Sequence, residues 1–520
     1  MTRLTTSQTP SDSPAQPATP LPSGPALPPR DADIAAADTS SRPPASAALV
    51  RALQQIVGDA NVLAHPSQLQ VYECDAYTLE RRLPHVVVLP RGTAEVAAVV
   101  RACADHDVAI IPRGAGTSLS GGVLAVDGGV MIALTRMNRV LEVDARNRRA
   151  LVEPGCVNAW ISREAAPFGL LYAPDPSSQT SCTIGGNVAT NSGGPHTLKY
   201  GVTTNHVLGF EMVLPDGEVV WLGATPESGD DVEGLDLRGA AIGSEGMFGV
   251  VTRVLVRLVR RPQAWKTYLA IFESVADASR AVSGIIRAGI VPAALEMMDR
   301  EIVRAVEEAY RFGFPLDAGA VLIIELDGLA SGLDAQGAQV LALCHEHGAR
   351  EVRVARTDAE RLALWKCRKQ AFGAVGRLSP AFLTQDGVVP RSKLPDIMAF
   401  IIECTKTYGL RIANVFHAGD GNIHPIVLYD ERDPDQVRRA VHAGEAILSR
   451  CLDLGGSVSG EHGIGVEKID FMARQFSPDD LDAMQQLRRA FDPEGRCNPH
   501  KIFPGSKRCG DFQPRKRASA

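Results

Sequence analysis

At 520 residues, 45% of them hydrophobic, the chain is long enough for two or three domains with well-filled cores. Its 54 basic and 60 acidic side chains leave a net charge of −6, which excludes the basic surface that nucleic-acid binding requires. No apolar run approaches the roughly 18 residues that cross a bilayer, and the 10 cysteines are scattered without a pair close enough for zinc or an iron–sulfur cluster, the pattern of a reduced, cytoplasmic protein.

Residues 1–46 are rich in Pro, Ser, Thr and Ala with few large aliphatic side chains, so they read as a disordered tail. Apolar spacing predicts a helix over 47–57, a buried strand from Val86 to Leu89, and a helix capped by Thr93 with Val96, Val99, Val100 and Cys103 on one face. A strand, Val108 to Ile111, then delivers Pro112-Arg113-Gly114-Ala115-Gly116-Thr117-Ser118-Leu119-Ser120-Gly121-Gly122. Glycines let main-chain N–H groups converge on an anion, and the three hydroxyls can donate further bonds, so the stretch is built to hold phosphate. It lacks the Gly-Lys-Ser/Thr ending of one familiar phosphate loop, and the third glycine of the dinucleotide fingerprint would fall at Leu119. A strand from Val130 follows instead of a helix.

A hairpin is predicted over 141–152. Beyond it, residues 172–201 carry many glycines, hydroxyls and amides and few aliphatics, a composition that points to a functional loop region. A second hairpin turns at Pro215-Asp216-Gly217, residues 224–236 form an acidic surface excursion, and a third glycine-rich element, Ile242 to Val251, feeds a strand ending near Val259. Past Arg260-Arg261-Pro262 strands and helices alternate, which predicts a sheet covered by helices. One of these helices spans 358–377 and carries Trp365, Arg368 and Lys369.

The stretch His417-Ala418-Gly419-Asp420-Gly421-Asn422-Ile423-His424-Pro425 reads as a hairpin that sets two imidazoles opposite each other on one face, with Asp420 fixing the turn. Gly460-Glu461-His462-Gly463 adds a carboxylate and a third imidazole. Two histidines and a carboxylate form a metal set suited to zinc or another divalent first-row ion.

Together, these motifs and Asn498-Pro499-His500-Lys501-Ile502-Phe503 resemble the FAD-linked oxidases of the vanillyl-alcohol-oxidase (PCMH-type) fold, and within them the D-2-hydroxyacid dehydrogenase branch. The resemblance implies an α+β chain. Residues 47–262 would form the FAD-binding domain, 263–475 a cap domain with an antiparallel sheet covered by helices, and 476–507 a helical segment returning to the FAD domain, with a tail over 508–520. It also implies that Arg113, Gly114, Ala115, Gly116, Thr117, Ser118, Gly121 and Gly122 wrap the FAD pyrophosphate. Further cofactor positions would be Pro174, Thr183, Gly186, Asn187, Thr190, Gly194, Gly243, Glu245, Gly249, Val250 and Asn498. Metal ligands would be His417, His424 and Glu461, with His462 as the catalytic base and Arg368 as the anchor of the substrate carboxylate.

No histidine follows Gly122 where covalently flavinylated relatives carry one, so the FAD is expected to be non-covalent. The implied reaction is oxidation of a small D-2-hydroxy acid, glycolate or D-lactate, to the 2-oxo acid; D-2-hydroxyglutarate, or a metal-independent oxidase or synthase of the same fold, is the alternative. Relatives acting on the dicarboxylate have Lys-Tyr-Asp where this chain has Thr384-Gln385-Asp386, which favours the monocarboxylates. Electrons would leave through another protein, such as an iron–sulfur subunit, or through a quinone. The expected assembly is a homodimer or a hetero-complex, cytoplasmic or held at the inner membrane by partners.

Overall fold

The computed structural model describes residues 45–227 and 234–504. Both expected tails, apart from Ala45 and Ser46, and the middle of the acidic excursion lie outside these residues. The first sheet joins β1 (Val62–Leu63), β2 (Val86–Val88), β3 (Ile110–Arg113) and β4 (Val130–Ala133) in the order β1-β2-β4-β3. Strands β2 and β3 each run parallel to β4. Helix α1 (Ala47–Val57) buries Leu49, Leu53 and Val57, and α2 (Thr93–Asp105) buries the predicted face of Val96, Val99, Val100 and Cys103. Gly92, not Thr93, is the N-cap of α2. The Thr93 hydroxyl is drawn away, donating to Glu211 Oε1 at 2.5 Å.

Because β3 pairs with β4 as far as Arg113 opposite Ala133, the strand ends two residues later than its apolar run, and the glycine-rich loop starts directly from it. That loop connects two strands, as its sequence required. The second sheet, β5 (Val140–Asp144), β6 (Arg149–Val152), β7 (Val207–Val213), β8 (Val219–Gly223) and β9 (Val250–Arg257), is antiparallel in the order β5-β6-β9-β7-β8. The block at 172–201 contains a short helix, α3 (Ile184–Thr190), anchored through Ile184 and Val188.

The larger sheet is antiparallel and contains β10 (Ala264–Phe272), β11 (Ala294–Asp299), β12 (Ala320–Gly328), β13 (Ala349–Val354), β14 (Ala381–Thr384), β15 (Ile412–His417) and β16 (Asn422–Tyr429), in the order β13-β10-β12-β11-β15-β16-β14. Alternation sends Tyr268, Leu322 and Met297 to one face, under α4 (Val275–Arg287) and its neighbours, and Leu269, Val321 and Val415 to the other, under α5 (Arg300–Tyr310). The helix predicted over 358–377 is interrupted at Gln370, giving α6 (Asp358–Lys369) and α7 (Ala371–Val375).

After α8 (Pro478–Phe491) the chain returns to the first two sheets. The Phe491 ring stacks on Phe248 at 4.6 Å, Cys497 bridges in parallel to Ile110, and Asn498 Nδ2 donates to the carbonyls of Gly122 (2.8 Å) and Glu245 (2.6 Å).

Candidate active site

The β15–β16 hairpin differs from its sequence expectation in register. His417 faces Asn422 and His424 faces Val415, because the turn holds four residues, Ala418 to Gly421. His417 and Val415 lie two residues apart, so the two imidazoles still share one face and meet diagonally, with centroids 5.1 Å apart and planes at 89°. Asp420 Oδ1 accepts from Asn422 N at 3.1 Å and fixes the turn, as its sequence position indicated.

Both Nε2 atoms converge on Glu461 Oε1, each at 3.3 Å. Behind them stand two carboxylates that the motif did not reveal. Glu296, opposite His417 in the sheet, has its Oε1 at 2.7 Å from His417 Nδ1. Asp386 Oδ1 lies 3.8 Å from His424 Nδ1. A hydrogen-bonded carboxylate such as Glu296 fixes the orientation of a ligating imidazole, whereas Asp386 Oδ1 and His424 Nδ1 are too far apart to bond. Their sequence signal was faint: Asp386 stood within a motif noted for other reasons, and Glu296 comes from a distant strand.

The His462 ring stacks on His424 at 4.8 Å with planes 7° apart. Burial, chiefly, pushes its pKa down to about 4, so the imidazole is neutral and able to accept a proton at neutral pH. Burial works against the charged forms of His417 and Glu461 too, but their opposite charges prevail. Glu296 and Glu461 hold His417 well above the usual imidazole range, and His417 with His424 holds Glu461 well below the carboxylate range. The ligand atoms of His417, His424 and Glu461 all lie within 4.8 Å of one another, and two imidazoles with one carboxylate fit a divalent ion.

The segment carrying Glu461 and His462 is fastened on two sides. Asp386 Oδ2 accepts from Ser459 Oγ (2.8 Å) and from the backbone N–H groups of Gly460 (2.9 Å), Glu461 (3.1 Å) and His462 (2.8 Å). From the other side Glu245 accepts from Ile464 N (2.6 Å) and Gly465 N (2.8 Å), and Ser120 Oγ donates to the Gly463 carbonyl (3.1 Å). Thus the first and third glycine-rich elements grip the histidine loop.

A cavity of about 740 Å³ joins these parts. Arg113, Gly114, Ala115, Gly116, Thr117, Ser118 and Gly122 line it, with Thr183, Gly186, Thr190, Glu245 and Gly249, and so do His424, Glu461 and His462. The size is that of a cofactor site. Gly116 has φ +71°, where a side chain would be strained, and a Cβ there would fall 2.2 Å from the Arg113 guanidinium and displace it. Thr183 Oγ1 is buried without a partner, as a hydroxyl reserved for a ligand would be. These features fit FAD.

Seven expected cofactor positions stand behind the lining rather than on it. Asn498 and Gly243 bond the backbone of neighbouring elements. The Pro174 carbonyl accepts from Asn158, Asn187 is buried in α3, and Val250 is buried at the start of β9. Gly121 and Gly194 allow close approach to Val466 and to the Asp175 backbone. Arg368 is off the lining too: its side chain is fully buried, Nε lies 2.6 Å from Glu296 Oε2, and both Nη atoms lack a partner. The next residue, Lys369, lines the cavity with Phe372 and Phe382.

Comparison with known proteins gives the same picture. The family described as FAD binding domain matches residues 84–223, and that described as FAD linked oxidases, C-terminal domain, matches residues 261–502. The Glycolate oxidase subunit GlcD of Escherichia coli (strain K12) is 44% identical over 464 residues, 89% of this chain and 92% of that protein. A D-lactate dehydrogenase of Anaerostipes hadrus is 33% identical, covering 81% of this chain and 89% of its own. The solved structure of p-cresol methylhydroxylase with substrate bound superposes with a TM-score of 0.75 at 19% identity, over 88% of this chain and 96% of that one, and so shares the fold. The chain therefore belongs to the FAD-linked oxidases, in the group that contains the GlcD subunits and the D-lactate dehydrogenases.

Proposed function

We propose that the protein oxidises a small D-2-hydroxy acid, glycolate or D-lactate, to the 2-oxo acid, with non-covalent FAD, when bound, supplying N5 as the acceptor of the C2 hydride and His462 taking the hydroxyl proton. The observation that carries this reading is that His462, His424 and Glu461 share the wall of the cavity that the phosphate-binding loop also lines, with His417 buried directly behind them and converging on Glu461. The relatives named for glycolate and D-lactate support the substrate class.

A divalent ion held by His417, His424 and Glu461 would lower the pKa of a bound hydroxyl. Neutral His462 then receives the proton, which is general-base work for imidazole. Arg368 stands behind the cavity wall, and its two unpartnered Nη groups make it the residue that would anchor the substrate carboxylate and so set which face of C2 is presented. Phe372, whose ring lies 6.4 Å from that of His424, lines the cavity together with Phe382. At the position where dicarboxylate-oxidising relatives carry a lysine, Thr384 is buried in the sheet, and Gln385 is turned to Glu467. Residues 47–262 act as the cofactor-holding half, 263–475 as the substrate half and 476–507 as the returning segment.

No helix among the described residues is long and apolar enough to cross a membrane. Electrons pass to a separate acceptor, an iron–sulfur partner subunit or a quinone, in a complex of the kind implied by the word subunit in the GlcD name. The test is anaerobic mixing of the FAD-loaded protein with D- and L-2-hydroxy acids, with and without a chelator. Bleaching of the flavin by D-lactate or glycolate, abolished by chelation, is expected. A flavin that no 2-hydroxy acid reduces would refute the reading.

A further inference from the structure

We infer that Lys369 provides the positive charge that neutralises the carboxylate of the bound acid, a substrate-binding role distinct from that of Arg368. The inference rests on the proposed oxidation of a 2-hydroxy acid. Two lysine or arginine residues line the cavity among the described residues, Arg113 and Lys369. Arg113 is occupied in the phosphate loop, where its Nη1 donates to the Cys74 carbonyl at 2.9 Å and its guanidinium lies over Tyr72. Lys369 comes from the end of α6, in the substrate half. Phe372, one helical turn further along, lies 6.4 Å from the His424 ring, centroid to centroid.

An incoming acid enters a site that already holds the Glu461 carboxylate. Arg368 offers directed N–H groups, but its charge is already matched by Glu296 at 2.6 Å, with both side chains fully buried. Lys369 is not committed in this way. Its nearest acid, Asp175, lies 3.5 Å away and is engaged more closely by His196 at 3.0 Å. The lysine side chain is 29% exposed and its ammonium, held only by this longer ion pair, sits on a flexible four-carbon stem that can turn toward a ligand. The helix break explains the division of labour. Near the end of α6, consecutive residues point about 100° apart, so Arg368 turns into the sheet and Lys369 into the cavity.

The experiment compares Lys369→Met, Lys369→Gln and Lys369→Arg in the full FAD-loaded chain. Oxalate is titrated against the flavin spectrum, and D-lactate and glycolate are followed by anaerobic stopped flow. The Met and Gln variants are expected to raise the oxalate Kd and the substrate half-saturation by about tenfold or more, the value of one hydrogen bond to a charged group. The limiting flavin-reduction rate should change less, and Arg should restore binding. Unchanged Kd values in Met and Gln would overturn the inference. So would an equal loss in Asp175→Asn, because Lys369 would then act only through its ion pair with that residue. Failure of the wild-type protein to be reduced by any 2-hydroxy acid would sink the proposed reaction instead, a result separable from unchanged oxalate binding in the variants.

Discussion

Asp386 Oδ2 lies 2.8 Å from the backbone nitrogen of His462 and accepts from it, although 76 residues separate the two in sequence. One fully buried carboxylate thereby sets the path of the segment that presents Glu461 and His462. Its burial disfavours the charged form, but His462, Lys468 and His424 outweigh that and hold the pKa well below the usual carboxylate range.

Asp386→Asn should therefore loosen the 459–463 segment, because an amide cannot accept these bonds equally well. The expected outcome is weaker metal retention and a flavin-reduction rate lower by about tenfold or more, the range seen when partners of metal ligands are removed. Metal content after dialysis and stopped-flow reduction check this. The same group gives an acid limit to stability. A depressed carboxylate contributes above its unfolded pKa, about 3.9, and the contribution fades as pH falls toward the lower folded value. Wild-type thermal unfolding should lose midpoint below about pH 4, and Asp386→Asn should lose less over that interval.

His462→Ala should keep FAD bound, since the phosphate loop is untouched, while flavin reduction slows by at least about 10²-fold. With its pKa near 4, the wild-type imidazole should support reduction without an acid limb close to 6.5. Rates measured from pH 4.5 to 8 test this, and a clear fall centred near 6.5 would argue against His462 as the base.

His417→Ala and His424→Ala should each abolish chelator-sensitive activity, with no rescue by added FAD or substrate. Full activity in a demonstrably metal-free variant would remove the triad from the reaction.

Gly116→Ala should impair FAD binding, because a Cβ would collide with the Arg113 guanidinium at a backbone angle that side chains rarely adopt. The flavin-to-protein absorbance ratio after gel filtration measures the effect.

Phe372→Ala should admit 2-hydroxy acids with longer side chains and lower discrimination against them, because its ring lies beside His424 and a methylene in an apolar pocket is worth about 1–3 kcal/mol. The ratio of kcat/KM for D-2-hydroxybutyrate and D-lactate reads this directly.

Much of the site was legible because glycine-framed motifs are local. The loop at 112–122, the two histidines and Glu461 all carried their chemistry within a few residues of sequence. Their supports were not legible in that way. Glu296 reaches His417 only through sheet pairing, and Asp386 reaches the 459–463 loop across the fold. Arg368 and Lys369 illustrate a finer limit. Both were visible as cations on one helix, but which of them met the cavity depended on where the helix ended and how it turned. The diagonal placement of His417 and His424 followed from the number of residues in the turn, which leaves the shared face intact while shifting the partner.

Asn498 closes the fold over a separation of 376 residues from Gly122, whose carbonyl it binds. A growing chain accordingly carries the phosphate loop long before it carries the residue that pins it. The last residues of the fold thus fasten two of its glycine-rich elements to each other.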